Sequence, residues 1–86
     1  MKVSIEITLA PLQNDYEKVI KDFIRDLRTS PFTIQENPLS TQIYGEFAPM
    51  MEFLTLSIAR SFDPLQAGMI QLKIVKSDRS NYLPFD

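Results

Sequence analysis

The chain has 86 residues, enough for one domain with a single hydrophobic core, and a domain of this size gains appreciable stability from a partner subunit. Its formal charge is −2 and its nine Lys and Arg residues are scattered, so no basic surface is expected to attract nucleic acid. The chain has no Cys and no His, which removes disulfides, thiolate nucleophiles and the commonest metal ligands and disfavours most redox and hydrolytic chemistry.

The first residues do not have the pattern of a signal peptide or a membrane anchor. Lys2 and Glu6 place charges within the first six positions, so no continuous apolar segment can be drawn there. We therefore expect a soluble, cytoplasmic protein that does not bind a membrane.

A strand and a helix are the first two predicted elements. Apolar and polar residues alternate over residues 3–9, the period of a half-buried strand, and Ala10-Pro11 ends it. Asn14 is a good N-cap with Glu17 three residues later, and from Tyr16 onward apolar residues recur at helical spacing. The opposite face of this helix carries mixed charges and is expected to be solvated.

Two strands and a second helix follow. Ser30-Pro31 ends the first helix, residues 32–35 form a short strand, Asn37-Pro38 marks a turn, and residues 39–46 form a longer strand. Residues 47–62 predict a helix. Its expected core stripe is Met51, Leu54, Ile58 and Phe62.

Two large side chains of the second helix fall off this stripe. At 100° per residue, Phe53 and Leu56 lie on the side shared with charged residues, so they are expected to face solvent unless another chain covers them. This favours a homo-oligomer.

The chain ends with a strand and a tail. Residues 70–74 alternate as a last strand, which closes a single domain over residues 1–78. The tail, residues 79–86, is polar except for Tyr82, Leu83 and Phe85, and fraying is the commoner fate of such a segment.

The order of elements predicts an α+β fold, the ferredoxin-like βαββαβ sandwich. Its four-stranded antiparallel sheet has the spatial order 4-1-3-2, and both helices cover one face. This geometry brings four distant residues to one edge: Leu9, Tyr16, Thr41 and Phe62. It places a second set on the sheet face away from the helices: Glu6, Gln42, Tyr44, Gln71 and Lys73.

The strand over residues 40–46 is the candidate site, because polar side chains and a glycine occupy what should be a central strand. Gly45 suggests a bulge or a close approach of another group. The available groups are carboxylates (Glu6, Glu46), an amide (Gln42), hydroxyls (Ser40, Thr41) and rings (Tyr16, Tyr44). Such groups suit a small, flat, nitrogen-rich ligand. No adjacent nucleophile and base are evident, so binding is favoured over catalysis, without a cofactor or a metal.

Three segments together resemble one family. Residues 4–12 (SIEITLAPL), Tyr16 and residues 40–46 (STQIYGE) are similar in order and spacing to the YkoF-type thiamine and hydroxymethylpyrimidine-binding family, over residues 1–78. The resemblance implies a ferredoxin-like domain that binds thiamine or a related pyrimidine and assembles in pairs or fours. Because this chain has one such domain, any tandem arrangement has to come from a homo-oligomer.

The predicted ligand site, taken from the side-chain chemistry and the predicted fold, consists of Glu6, Tyr16, Ser40, Thr41, Gln42 and Tyr44. A second interpretation stays open: a structural or regulatory assembly module whose sheet binds copies of itself. In that case Glu6, Gln42 and Tyr44 are polar contacts of an interface, and there is no dedicated small-molecule ligand. An enzyme ranks third.

Overall fold

The computed structural model describes residues 1–83, which form four strands and two helices. In chain order these are β1 (Lys2–Pro11), α1 (Tyr16–Arg28), β2 (Thr33–Glu36), β3 (Thr41–Glu46), α2 (Phe47–Phe62) and β4 (Gly68–Lys76). All neighbouring strands are antiparallel and the sheet order is β2-β3-β1-β4, the predicted 4-1-3-2 order read from the other edge. The fold is ferredoxin-like, as predicted. Within residues 1–83, neither helix has the length and apolar character needed to cross a membrane.

One hydrophobic core lies between the sheet and the two helices. Alternation along β1 points every second residue to the same face, and Ile43 of β3 lies on that face because it pairs with Ile5. Both helices contribute to the same cluster, so both cover this face. The buried apolar residues are Val3, Ile5, Ile7, Leu9, Phe23, Leu27, Ile43, Met50 and Leu54.

The strands differ in length from the prediction. β4 has nine residues rather than five, because the long central strand β1 offers it a partner at every position from Val3 opposite Lys76 to Pro11 opposite Gly68. β3 begins at Thr41 rather than at residue 39. The short strand β2 lies one residue further along than predicted.

The predicted start of α1 at Asn14 was wrong. The N-cap is Asp15, and its side chain makes no capping hydrogen bond to the helix. The Asp15 carboxylate instead accepts a hydrogen bond from the Gln13 side-chain amide. A reciprocal capping box with Glu17 is therefore absent.

α2 has the predicted bounds but a different buried face. Met50, Leu54 and Ser57 are fully buried, whereas Met51 packs at the margin of the core and Phe62 is 38% exposed, so the predicted core position of Phe62 was wrong. The buried face of the helix is therefore centred one residue away from the predicted stripe.

Two contacts made by α2 account for this rotation. The Ser57 hydroxyl donates a hydrogen bond of 2.7 Å to the Asp26 carboxylate of α1, which also accepts hydrogen bonds of 2.9 and 3.0 Å from the Arg60 guanidinium. Phe53 meets the edge of Phe32, with ring centroids 6.1 Å apart and planes at 72°.

The exposure predicted for two residues of α2 had different outcomes. Phe53 is partly buried against its own chain, so it needs no second chain to cover it. Leu56 is 57% exposed, as predicted. Phe53 therefore gives no support to a homo-oligomer, and of these two residues only Leu56 still does.

Gly45 marks a close approach rather than a bulge. The pairing of β1 with β3 runs without interruption through Val3 opposite Gly45, so no extra residue is inserted there. A Cβ atom added at Gly45 would lie 2.8 Å from Cδ1 of Phe32, closer than carbon atoms normally approach. The glycine makes room for this ring.

The chain after β4 folds back over the open sheet face, the face away from the helices. The Ser4 hydroxyl donates to the Ser77 carbonyl at 2.7 Å and accepts from the Arg79 amide at 2.8 Å. The Ser80 carbonyl accepts a longer hydrogen bond of 3.4 Å from the Gln35 side chain. This segment is therefore held against the sheet rather than frayed. Tyr82 and Leu83 are exposed, and Phe85 lies outside the described residues.

Candidate ligand-binding site

A chain of polar side chains crosses the open sheet face beside the β2–β3 turn. The cross-strand pairing puts Glu6 of β1 directly opposite Gln42 of β3. The Ser40 hydroxyl donates to the Glu6 carboxylate at 3.0 Å and accepts from the Gln42 side-chain amide at 2.8 Å. Three of the predicted site residues are thus brought together, although Glu6 remains exposed to solvent.

The hydrogen-bonded row of Glu6, Ser40 and Gln42 side chains continues into the β2–β3 turn. The side-chain oxygen of Gln42 accepts a hydrogen bond from the Asn37 side-chain amide, and the Asn37 backbone N–H donates to the Ser40 carbonyl at 3.0 Å. Side-chain and backbone bonds therefore fix both ends of the turn. Glu6 and Gln42 hold Asn37 and Ser40 in place from the open face of the sheet.

Thr41 points to the opposite face, toward the helices, because it pairs with the core residue Ile7. There it lines a narrow cleft between α1 and the β2–β3 turn, with a volume of about 150 Å³. Its lining residues are Ile7, Thr8, Leu9, Ile20, Phe23, Ile24, Asn37, Pro38, Leu39, Ser40 and Thr41. Ser40 belongs to both places, since it lines the cleft and bonds Glu6.

The Thr41 hydroxyl is the unusual group of this cleft. Thr41 is only 6% exposed, yet no hydrogen bond to its hydroxyl is found within residues 1–83. Most polar side-chain atoms of residues buried to this extent have a hydrogen-bond partner within the protein. The oxygen is not among the fully enclosed, unpartnered side-chain atoms, so it retains accessible surface at the cleft.

The cleft combines apolar walls with an uncharged polar rim. Leu39 lies beside the cleft on the turn and is 89% exposed, more than any other large hydrophobic residue in the described part of the chain. The lining residues include no Lys, Arg, Asp or Glu. Such a site has hydroxyls and an amide for hydrogen bonding and nothing to neutralise a charge, which suits a small uncharged ring.

The two tyrosines of the predicted site lie elsewhere. Tyr16 is 50% exposed at the start of α1 and lines a shallow groove among charged side chains of that helix. The Tyr44 hydroxyl donates to the Gln35 side chain at 3.3 Å on the open sheet face, close to the segment that follows β4. Neither ring lines the cleft.

Two of the four residues predicted to converge at one edge line the cleft. Leu9 and Thr41 line the cleft together, whereas Tyr16 and Phe62 do not contribute to it. Glu46 ends β3, at the other end of that strand from the turn. It forms an ion pair of 2.7 Å with the Met1 ammonium group, which holds the pKa of its carboxyl below the usual range.

Sequence reasoning missed the apolar side of the cleft, formed by Ile20 and Ile24 of α1 and by Leu39 of the turn. The helical spacing of apolar residues placed Ile20 and Ile24 on the buried face of α1. The same spacing is expected for a residue that packs in the core and for one that lines a cleft, so it could not identify the cleft. The signal that could have found Leu39 is its position directly after Asn37-Pro38, where a large apolar residue has no core to enter. Within residues 1–83, no three Asp or Glu side chains are grouped to hold a metal ion.

Several solved structures share this fold. A protein from Streptococcus pneumoniae is 26% identical, with 91% of this chain and 89% of that chain covered and a TM-score of 0.84. A protein from Thermotoga maritima is 22% identical, with 90% and 85% covered and a TM-score of 0.82. A hypothetical protein from Methanocaldococcus jannascii is 17% identical, with 93% and 84% covered and a TM-score of 0.79. No protein-family model matches the chain, and no curated protein matches it either.

These similarities establish the fold as one found in both bacteria and archaea, over nearly the whole chain. The Thermotoga maritima protein is described, provisionally, as a thiamine biosynthesis or salvage protein. The other two descriptions name no ligand.

Proposed function

We propose that this protein binds a small, uncharged, planar ring in the cleft beside the β2–β3 turn, and that the aminopyrimidine ring of thiamine or of hydroxymethylpyrimidine is the best candidate. The observation that carries the proposal is the buried, unpartnered hydroxyl of Thr41 at the edge of an apolar, ring-sized space. Two further points support it: the motifs that resemble thiamine-binding proteins, and the provisional description of the Thermotoga maritima neighbour.

The volume of the cleft limits what it can hold. Pockets that enclose a whole ligand usually have volumes of about 300 to 1,000 Å³, whereas an apolar cavity of about 150 Å³ holds one benzene-sized ring. A cleft of about 150 Å³ therefore accepts one ring of thiamine. The second ring would extend past Leu39 toward solvent.

The polar groups at the rim match the edge of an aminopyrimidine. The Thr41 hydroxyl can donate to a ring nitrogen or accept from the exocyclic amine, and the Asn37 amide offers both functions. Glu6 and Gln42 act mainly through the turn, because their hydrogen bonds fix Ser40 and Asn37. Direct contact of Glu6, Tyr16 or Tyr44 with a ligand stays a prediction.

The site is proposed to bind its ligand without catalysis. The lining side chains include hydroxyls and an amide but no carboxylate, amine or thiol that could act as a base or as an activated nucleophile.

Titration calorimetry with hydroxymethylpyrimidine and thiamine tests the proposal. Thr41→Val keeps the shape of the side chain and removes its hydroxyl, so affinity should fall about tenfold, the factor that corresponds to ~1.4 kcal/mol and to one hydrogen bond. Thr33→Val is the matched control, since Thr33 is an exposed strand threonine outside the cleft. Equal affinity of the two variants, or no heat with either compound, contradicts the proposal.

The assembly-module interpretation keeps one observation in its favour. β4 is an edge strand with apolar side chains that remain exposed, among them Leu72 and Ile74. Should neither compound bind while light scattering shows that the protein forms an oligomer, self-association would be its better-supported role.

A further inference from the structure

Leu39 lines the cleft, but the protein itself hardly covers it. It is 89% exposed, whereas Phe23, which lines the same cleft from α1, is 3% exposed. Single exposed apolar residues are common on protein surfaces, so exposure alone assigns no role to Leu39. Its place does, because a ligand in the cleft would lie directly beside it.

The β2–β3 turn holds the backbone on both sides of Leu39. The Asn37 backbone N–H donates to the Ser40 carbonyl at 3.0 Å, and the side chains of these two residues bond to side chains of β3 and β1. The ring of Pro38 fixes one backbone dihedral angle directly before Leu39. The main chain is therefore already ordered beside the cleft, and only the leucine side chain has to be ordered when a ligand binds.

Most of the Leu39 side chain lies outside the enclosed part of the cleft. The opposite wall consists of Ile20, Phe23 and Ile24 of α1. A ring bound between this wall and the turn would leave most of the leucine surface in solvent, since 89% of it is exposed. A group attached to that ring and directed outward would instead lie against the leucine.

We propose that Leu39 packs against the part of the ligand that leaves the cleft, and that it determines specificity for a ligand with a second flat ring. This inference rests on the proposed function and deepens it. The cleft of about 150 Å³ holds one ring, so the second ring of a two-ring ligand passes Leu39. Contact between the two removes apolar surface from water, which adds affinity that a one-ring ligand does not gain.

Titration calorimetry with thiamine, which has two rings, and with hydroxymethylpyrimidine, which has one, tests this role. Leu39→Ala should weaken thiamine binding about tenfold, because alanine buries less apolar area than leucine, and should leave hydroxymethylpyrimidine binding nearly unchanged. Leu39→Met keeps the apolar area and should keep the affinity for thiamine. Leu12→Ala is the matched control, since Leu12 is 67% exposed and lies outside the cleft.

The heat-capacity change on binding provides a second measurement. Burial of apolar surface makes this change negative, so thiamine binding should have a more negative value in wild type than in Leu39→Ala. Urea unfolding should give the same stability for wild type and Leu39→Ala, because the exposed leucine adds little to the core.

The outcomes separate this inference from the proposed function. Equal losses for both compounds in Leu39→Ala would show that the leucine supports the turn rather than the ligand, and would refute the inference. So would unchanged thiamine affinity in Leu39→Ala, or a wild type that binds hydroxymethylpyrimidine but not thiamine, and both results leave the proposed function intact. No heat with either compound in wild type would refute the proposed function and this inference with it.

Discussion

Two buried hydroxyls in this protein are in opposite situations. The Ser57 hydroxyl, fully buried on α2, donates to the Asp26 carboxylate at 2.7 Å. The Thr41 hydroxyl belongs to a β3 residue that is 6% exposed, has no hydrogen-bond partner within residues 1–83 and keeps accessible surface at the cleft. A satisfied buried group stabilises the fold, whereas an unsatisfied one lowers stability and remains available for another molecule.

Substitution of each hydroxyl should therefore have opposite effects on stability. Ser57→Ala should lower the free energy of unfolding by about 1 kcal/mol, since it removes a hydrogen bond to a carboxylate. Thr41→Val should leave that free energy unchanged or raise it, because the hydroxyl has no hydrogen-bond partner within residues 1–83 to lose and valine is favoured in strands. Urea unfolding measures both. A clear loss of stability in Thr41→Val would mean that the hydroxyl has an internal partner.

A second residue-scale prediction concerns the ion pair between α1 and β2. Two hydrogen bonds from the Arg28 guanidinium, of 2.6 and 2.7 Å, hold the pKa of the Glu36 carboxyl below its usual range. A carboxyl with a lowered pKa stabilises the fold above its ordinary pKa, and this stabilisation is lost as the pH falls through the lowered value.

Arg28→Gln should therefore raise the pKa of Glu36 toward its ordinary value, as measured by an NMR titration of the side-chain carboxyl. Lys18→Met is the control. It removes the Lys18 hydrogen bond that lowers the pKa of Asp22 and should leave Glu36 unaffected. A Glu36 titration that is identical in wild type and Arg28→Gln would show that the ion pair is absent in solution.

At the scale of elements, the end of β3 and the start of β2 are coupled through an aromatic contact. The Phe32 ring occupies the space above Gly45 and rests with its edge against Phe53 of α2. The glycine, the loop before β2 and the second helix therefore share one packing arrangement.

Gly45→Ala should destabilise the protein by about 1 to 3 kcal/mol, the usual range for an overpacked site, because the added methyl group has to displace a ring held by Phe53. Phe32→Leu removes the ring, so Gly45→Ala should destabilise the protein less in the Phe32→Leu variant than in wild type. Urea unfolding of the two single variants and the double variant measures this coupling. Strictly additive losses would show that the ring moves freely.

The sequence-based prediction of α2 illustrates a limit at this scale. Its bounds were correct, since Phe47–Phe62 is apolar and amphipathic and begins directly after Glu46, the last residue of β3. Its buried face was not, because many apolar residues on two sides of a helix allow several rotations. Partners on other elements decide between them: Asp26 for Ser57 and Phe32 for Phe53.

At the scale of the whole molecule, the order of strands and helices could be predicted because it depends on local periodicity and on the handedness of crossovers. β1 is the clearest example: its alternation identified every core residue of the central strand. The candidate site was predictable only where polar residues interrupted such a pattern, as at Ser40 and Thr41.

The walls of the cleft could not be predicted in this way. Ile24 and Leu39 are apolar residues whose role depends on the gap between α1 and the β2–β3 turn, a tertiary property. Whether β4 is covered by a second copy is likewise decided by groups on another chain. Sequence patterns identify apolar and polar faces of a helix or strand, but they do not identify a cleft whose walls come from different elements.

The central claim is that the cleft between α1 and the β2–β3 turn binds an aminopyrimidine ring. A titration of hydroxymethylpyrimidine followed through the backbone amide signals of the protein tests it most directly. We predict saturable shifts confined to the residues that line the cleft, which are residues 7–9, residues 37–41 and the α1 residues Ile20, Phe23 and Ile24. Shifts centred instead on Glu6, Gln71 and Lys73 of the open sheet face, or no shifts at millimolar ligand, would contradict the claim.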